Sequence, residues 1–261
     1  MRWIRNRGRG RQYGEWLESM APLFGGFTGK TVLEVGADLS GNLLRVVERR
    51  FSPREIVGIN LTATNQNISS RARLEQGDIR STSYADQTFD LIISVSAFEH
   101  ITGLERALME MHRILRPGGY VFSHFGPIWS TSYGHHLSTR YGMRNYTYWN
   151  VMLPPYCHLL MSAREIERLL VGRGYAPDLA RAMSEYVTSS KDQNQLFFED
   201  YEQLFKRSPF DIVIFKGYDV PEIAQRYNAE ITPALLDQLK ARFPGKTHFF
   251  YDGIATLLRK R

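Results

Sequence analysis

The chain of 261 residues is poor in cysteine and in long apolar segments. Cys157 is the only cysteine, which excludes an intramolecular disulfide and a zinc cluster of several thiolates. No apolar run approaches the ~20 residues that a membrane-spanning helix needs. Adjacent histidines such as His135 and His136 rarely bind one ion without further ligands. We therefore predict a globular protein of the reducing cytoplasm, without a membrane span and without a metal centre.

Acidic residues are absent from the first eleven positions, and this absence explains most of the net charge of +6. Arg2, Arg5, Arg7, Arg9 and Arg11 lie there, and the rest of the chain is close to neutral. The pattern predicts a flexible basic tail over residues 1–11. The alternative is an arm that meets phosphate on a nucleotide-linked substrate, a nucleic acid or an anionic membrane. No apolar segment follows it, so no secretory signal is expected.

The most informative segment comprises residues 31–41. Thr31–Val35 is an apolar run with β-branched residues, which predicts a buried strand that ends at Gly36. A turn-forming stretch follows, and Asn42–Arg50 then has helical spacing. A strand, a glycine turn and a helix form the first unit of a nucleotide-binding α/β sheet. Strands and helices continue to alternate as far as Phe125, as a parallel doubly wound sheet requires.

Five segments in order resemble the motifs of the class I methyltransferases that use S-adenosylmethionine (SAM), in their ubiquinone/menaquinone-type branch (methyltransferase type 11). These segments are Thr31–Gly36, Ile56–Leu61, Leu74–Ile79, Thr88–Ile101 and Leu115–Phe122. The resemblance implies a doubly wound, Rossmann-like α/β fold. Its seven-stranded, mostly parallel sheet has an antiparallel last strand and an inserted substrate lid. The chain departs from the family where Asp38 and Ser40 replace glycines and where Asn60 replaces an acid.

We predict one methyltransferase domain over residues 1–261, with four features besides the central sheet. They are the basic tail at 1–11, an N-terminal helix at 12–29, a substrate lid at 124–161 and a helical insertion at 178–209. The lid segment is rich in aromatic residues and histidines, as ligand pockets often are. Such residues also cover hydrophobic cores and dimer interfaces, so a homodimer is an alternative explanation for the aromatic residues of this segment. Ser162 to Glu165 fits a capping box, which predicts a helix start.

The resemblance also implies which residues hold SAM at the carboxyl ends of the strands. They are Glu34, Gly36, Asp38, Gly41, Asn60, Leu61, Asp78, Ile79, Ser94 and Ser96. Glu34 is expected to meet the ammonium of the methionine tail, and Asp38 adds a second carboxylate there. Asn60 would accept a ribose hydroxyl, and Asp78 would accept the adenine amino group. Leu61 would pack on the adenine face, and Ser94 to Ser96 would line the sulfonium end. Each residue alone also suits an ordinary turn or helix cap, but their order along the strand ends favours the cofactor.

Transfer of a methyl group to a hydroxyl requires removal of the hydroxyl proton, and histidine is the natural base near neutral pH. His135 and His136 are the preferred candidates because they lie in the predicted lid, which contains neither Asp nor Glu. His100, directly after the fourth strand, is the third candidate. His124 and His158 are weaker ones.

The sequence therefore predicts a SAM-dependent methyltransferase that acts on a small molecule. O-methylation of a sugar, a glycan intermediate or a secondary metabolite suits the histidine-rich aromatic segment. A nucleic-acid methyltransferase is one alternative, although the near-neutral remainder makes a nucleic-acid partner a poor fit. A non-catalytic protein of this fold, acting as a partner or regulator, is the other, and the replaced residues at 38, 40 and 60 are its basis.

Overall fold

The computed structural model describes residues 7–151, 153–189, 191–220, 227 and 230–261, with the backbone alone for 7–13. The chain divides into two compact units. The first contains the described residues up to Phe125 together with Leu204–Phe215 and Ala255–Arg261. The second contains Gly126–Gln203 and the described part of Lys216–Ile254. The chain thus passes between the units several times along its length.

Ten strands are described, and eight of them form the central sheet. They are β1 Thr31–Val35, β2 Glu55–Asn60, β3 Gln66–Asn67, β4 Ala72–Gln76, β5 Phe89–Val95, β6 Leu115–Phe125, β7 Ser138–Tyr141, β8 Arg144–Thr147, β9 Asp211–Tyr218 and β10 Gly253–Arg259. The described helices are α1 Arg7–Met20, α2 Asn42–Phe51, α3 Leu104–Ile114, α4 Cys157–Leu160, α5 Ala163–Gly172, α6 Pro177–Ser189, α7 Phe198–Arg207 and α8 Pro233–Arg242. Short 3₁₀ turns lie at Ala21–Phe24 and Phe98–His100.

The sheet has the order β3-β4-β2-β1-β5-β6-β10-β9. The pairs that join β4, β2, β1, β5 and β6 are parallel. The end of β10 lies beside the start of β6, because Lys260 exchanges backbone hydrogen bonds with Gly118 and Gly119. The predicted doubly wound, mostly parallel fold with an antiparallel C-terminal strand is therefore confirmed. The two-residue strand β3 is an addition that its polar residues, Gln66 and Asn67, do not predict.

Burial on both faces explains the apolar central strands. All five residues of β1 are buried, as in a parallel sheet covered by helices on each side. In the first unit Val32, Leu44, Ile56 and Leu91 belong to one buried cluster. Their packing fixes the strands whose carboxyl ends carry the candidate site.

The second unit has an apolar core of its own. Leu137, Ile166, Leu170 and Met183 are buried together, and helices α5 and α6 supply most of this cluster. From Gly126 onward, the segment predicted as a substrate lid, residues 124–161, belongs to this larger unit. Apolar residues distant in sequence complete that unit, which a local pattern does not reveal.

Two predicted boundaries can be compared with the structure directly. The N-terminal helix α1 begins at Arg7 instead of residue 12, so the last part of the predicted tail has helical backbone. Residues 1–6 of that tail lie outside the described residues. The capping box at the start of α5 is confirmed, because Ser162 accepts from the Glu165 backbone amide and Glu165 from that of Ser162.

Among the residues that the structure describes, none of the helices has the length and apolar character to cross a membrane.

Candidate functional site

The glycine loop between β1 and α2 forms the centre of the candidate site. Gly36 and Gly41 adopt positive φ angles of 78° and 63°. The amides of Gly36 and Ala37 donate to the Ile59 carbonyl at 3.0 and 3.1 Å, which ties the loop to β2. A Cβ on Gly36 would stand 2.3 Å from the Cβ of Ala97. Both the backbone conformation and the available space therefore require glycine at position 36.

Asp38 closes the glycine loop onto α2. Its Oδ1 accepts from the Ser40 amide and its Oδ2 from the Asn42 amide, each at 2.9 Å. The side-chain amide of Asn42 also donates to Oδ1 at 3.1 Å. The positive φ angles of this loop fall on the flanking Gly36 and Gly41 and not on Asp38. A contact between Asp38 and the SAM ammonium stays a prediction.

Glu34 is a buried carboxyl that the surrounding protein does not satisfy. Its side chain lies in the interior of the sheet, and the residue is only 4% exposed. Within the described residues, Oε2 has no hydrogen-bond partner. Burial, and secondly the charge of Asp38, raise the pKa of Glu34 to about 8. A carboxyl of this kind suits a ligand that brings a cation or a donor, and the ammonium of SAM meets that requirement.

Asn60 joins the end of β2 to the glycine loop. Its Nδ2 donates to the Ala37 carbonyl at 3.0 Å. Its Oδ1 accepts from the backbone amide and the hydroxyl of Thr62, at 2.9 and 3.1 Å. The side chain therefore positions the loop in this structure. Its predicted contact with a ribose hydroxyl stays a prediction.

Asn60→Asp is expected to weaken SAM binding. The acid that the family carries at this position would by itself favour tighter binding. Aspartate keeps the acceptor for Thr62 but replaces the Nδ2 donor by a charged oxygen that faces the Ala37 carbonyl. We expect a loss of about 1–3 kcal/mol in unfolding free energy and a weaker SAM affinity. Urea denaturation and calorimetric titration with SAM measure both. Tighter binding at unchanged stability would show that Asn60 meets the ribose without holding the loop.

Asp78 follows β4 and binds Arg80 in the same loop. Arg80 Nη2 lies 2.7 Å from Oδ2, and Nε lies 3.0 Å from Oδ1. These hydrogen bonds lower the pKa of Asp78, so its carboxylate is ionised at neutral pH. Ile79 beside it is buried. The predicted contact of Asp78 with the adenine amino group stays a prediction.

Two leucines are exposed on loops at this edge of the sheet. Leu61, predicted to pack on adenine, is 60% exposed, and Leu39 in the glycine loop is 54% exposed. Leu39 was not predicted as a site residue, although an apolar side chain in a glycine loop was a signal. Leucines at such positions are suited to cover the flat face of a base.

The residues after β5 reach the same edge. Ser94 pairs with Val35 of β1 in the strand register, and its hydroxyl donates to the Val35 carbonyl at 3.0 Å. Ser96 has a φ of 51°, and its amide donates to the His124 carbonyl at 2.9 Å. His100 is exposed at the end of the 3₁₀ turn. Their predicted roles at the sulfonium and as a base stay predictions.

His135 and His136 lie in the second unit, whereas all the predicted cofactor residues and His100 lie in the first. His135 is 1% exposed, and its Nδ1 accepts from the Leu137 amide at 3.0 Å. His136 has a φ of 48° and stacks on the Tyr148 ring, with centroids 5.6 Å apart. Burial holds the pKa of His135 well below its usual range, so this imidazole is neutral.

Three partners of the predicted residues were missed by sequence reasoning. Arg80 and Thr62 lie two residues after Asp78 and Asn60, a spacing that permits a contact within a loop. The contact of His158 with the Trp129 carbonyl has no sequence signal, because it joins backbone and side chain 29 residues apart. Across the described ranges there is no group of three or more His, Cys, Asp or Glu that could hold a metal ion.

The parallel strand order and the glycine loop after β1 are those of a Rossmann-like α/β fold. The family model described as a methyltransferase domain matches residues 33–123, and the predicted resemblance to the class I SAM-dependent methyltransferases is confirmed for this segment.

Two curated relatives match part of the chain. Malonyl-[acyl-carrier protein] O-methyltransferase 1 of Coxiella burnetii is 33% identical over 37% of this chain and 34% of its own length. Norajmaline N-methyltransferase of Rauvolfia serpentina is 27% identical over 41% of this chain and 37% of its own length. The match thus spans little more than a third of each relative.

A solved structure shows the fold over a greater length. The SAM-dependent methyltransferase of Mesorhizobium loti has a TM-score of 0.55 to this chain at 13% identity. The superposition covers 95% of this chain and 98% of that protein.

Proposed function

We propose that this protein transfers the methyl group of SAM to a hydroxyl oxygen of a small molecule, such as a sugar, a glycan intermediate or a secondary metabolite. Glu34 is the observation that carries the proposal. A buried carboxyl without a partner among the described residues costs about 1–3 kcal/mol, and a cationic ligand group removes that cost. The glycine loop beside it has the shape that a nucleotide-like ligand needs.

The chain's residues have separate roles in this proposal. Glu34 binds the ammonium, and the loop from Gly36 to Gly41 supports the methionine tail. Leu39 and Leu61 cover the adenine, and Asp78 accepts its amino group. SAM, when bound, supplies an electrophilic methyl group on a positively charged sulfur.

Oxygen as the acceptor atom is supported by the neutral histidines of the second unit. A hydroxyl is a poor nucleophile until its proton is removed, whereas an amine is already nucleophilic when neutral. The names of the two curated relatives include an O- and an N-methyltransferase, so they leave the atom open. A neutral imidazole is the form of histidine that can accept a proton, and burial at the same time makes it a weaker base.

Calorimetric titration with SAM and with its demethylated product tests the cofactor part of the proposal. We expect both to bind with dissociation constants well below the millimolar range. Incubation of the protein and labelled SAM with cell extract then tests transfer, and treatment of the labelled product with nuclease separates a small molecule from a nucleic acid. Absence of SAM binding up to millimolar concentrations would refute the proposal.

A non-catalytic protein of this fold is the second candidate. The polar atoms of Asp38, Asn60 and Asp78 already have partners within the protein, which is what a scaffold without cofactor would also show. SAM binding without transfer to any compound of the extract would favour this candidate. The nucleic-acid alternative rests on the basic residues near the start of the chain.

The predicted location and assembly remain part of the proposal. A cytoplasmic location is supported by Cys157, a free and buried thiol. A homodimer is tested by light scattering coupled to size-exclusion chromatography, where a mass near 30.2 kDa would indicate a monomer.

A further inference from the structure

Two buried histidines of the second unit have tautomers that their backbone partners determine. The Nδ1 atom of His135 accepts from the Leu137 amide at 3.0 Å, so it carries no proton. The neutral ring then has its proton on Nε2. This Nε2–H is a buried donor, and it has no hydrogen-bond partner among the described residues.

His158 presents the opposite functional group. Its Nε2 lies 2.8 Å from the Trp129 carbonyl, and a carbonyl only accepts, so Nε2 carries the proton. The Nδ1 atom of the neutral ring is therefore an acceptor. It too is buried and lacks a partner within the described ranges.

The two rings are neighbours. Their centroids lie 5.6 Å apart, and the ring planes meet at 70°. Burial lowers the pKa of His158 to about 4 and that of His135 well below its usual range, so both rings are uncharged at neutral pH. His158 is also packed edge-on against Trp129, with a centroid distance of 4.6 Å. One unsatisfied donor and one unsatisfied acceptor thus lie on two neighbouring buried rings.

We propose that His135 and His158 form a binding site for a single hydroxyl group of a small molecule. Its oxygen accepts from Nε2–H of His135, and its proton is donated to Nδ1 of His158. A carboxylate has no proton for Nδ1, and an ammonium has no lone pair for Nε2–H. The pair therefore favours a neutral group that both donates and accepts, such as an alcohol or a phenol.

The proposal changes the role of His135. In this tautomer His135 cannot remove a proton, since Nδ1 is engaged and Nε2 is already protonated. His135 is a donor that orients the hydroxyl oxygen. The proton of the hydroxyl is donated to Nδ1 of His158 in a hydrogen bond.

Two substitutions keep the structural hydrogen bond of each histidine and remove only the proposed contact. In His158→Gln, the side-chain amide nitrogen reaches the place of Nε2 and still donates to Trp129, but the Nδ1 acceptor is lost. In His135→Asn, the side-chain oxygen takes the place of Nδ1 and still accepts from Leu137, but the Nε2–H donor is lost. His248→Gln, at a partly exposed histidine of the same unit, is the control.

Proton–nitrogen correlation spectra of ¹⁵N-histidine-labelled protein, titrated with phenol as the probe, test the binding site. We expect both rings as Nε2–H tautomers, with the His158 Nδ1 and His135 Nε2 resonances shifting together on addition of phenol. Each of the two variants should lose at least tenfold in phenol affinity, whereas His248→Gln should behave as wild type.

Three results would overturn the proposal. A different tautomer of either ring removes its basis. A pair that responds to neither phenol nor 2-propanol holds only a buried water. Variants that fold and bind phenol as tightly as wild type show that the hydroxyl binds elsewhere.

Discussion

Gly36→Ala should abolish measurable SAM binding and lower the free energy of unfolding by about 2–5 kcal/mol. A φ of 78° costs a non-glycine residue roughly 1–2 kcal/mol. The added Cβ would stand 2.3 Å from the Cβ of Ala97, and overpacking of this kind costs about 1–3 kcal/mol more. Urea denaturation measures the stability, and calorimetric titration measures the affinity for SAM.

Gly29→Ala separates the two contributions. Gly29 has a φ of 72°, but a Cβ there meets nothing within 4 Å, so this variant carries the backbone cost alone. The double variant Gly36→Ala with Ala97→Gly removes the close contact and should recover part of the stability. If Gly36→Ala were no less stable than Gly29→Ala, the glycine loop would tolerate a side chain at position 36 without a steric clash.

Glu34→Gln should change how stability depends on pH. The pKa of Glu34 is raised from 4.5 to about 8, so the folded protein holds this proton while the unfolded chain releases it. The stability that this group contributes is fully present below about pH 4.5 and is lost as the pH rises towards 8. Glutamine does not titrate. Between about pH 4.5 and pH 8, the free energy of unfolding of the wild type should therefore fall by several kcal/mol relative to that of the variant.

The same substitution should lower SAM affinity by at least tenfold, because the charge that pairs with the ammonium is lost. In the wild type, a bound cation favours the ionised carboxyl, so affinity should rise between about pH 6 and 8. Thermal and urea unfolding across this range, with calorimetry at each pH, give both quantities. Glu105→Gln, at an exposed position on α3, is the control. A Glu34→Gln variant that follows the wild type at every pH would show that the carboxyl is solvated.

The sheet and its carboxyl edge were predictable because local pattern and parallel topology determine them. An apolar run such as Thr31–Val35 has few alternatives to a buried strand, and Gly36 marks where it ends. Once the strands are parallel and in the observed order, the residues after β1, β2, β4 and β5 must meet at one edge. The position of Asn60 near the glycine loop follows from this geometry alone.

The hydrogen bonds of the same residues were not predictable. Asp38, Asn60 and Asp78 are short polar side chains that satisfy backbone groups or neighbours two to four residues away, and several such partners compete in any loop. The tautomers of His135 and His158 depend on which backbone atom lies nearest. In the second unit, Thr131 donates to Asp252 at 3.0 Å across 121 residues of chain, a pairing that only the assembled unit determines.

The position of β10 in the sheet has a consequence for how the protein is made. β10 follows every other described strand in the chain, yet it lies between β6 and β9. Near its end, the Lys260 ammonium donates to the carbonyls of His112 and Leu115 at 2.6 and 2.8 Å, which fixes the junction of α3 and β6. During synthesis, β6 and β9 therefore emerge from the ribosome before β10, and the edges that pair with β10 stay unpaired until β10 follows. A nascent chain that stalls before Gly253 presents those edges to chaperones or to other chains.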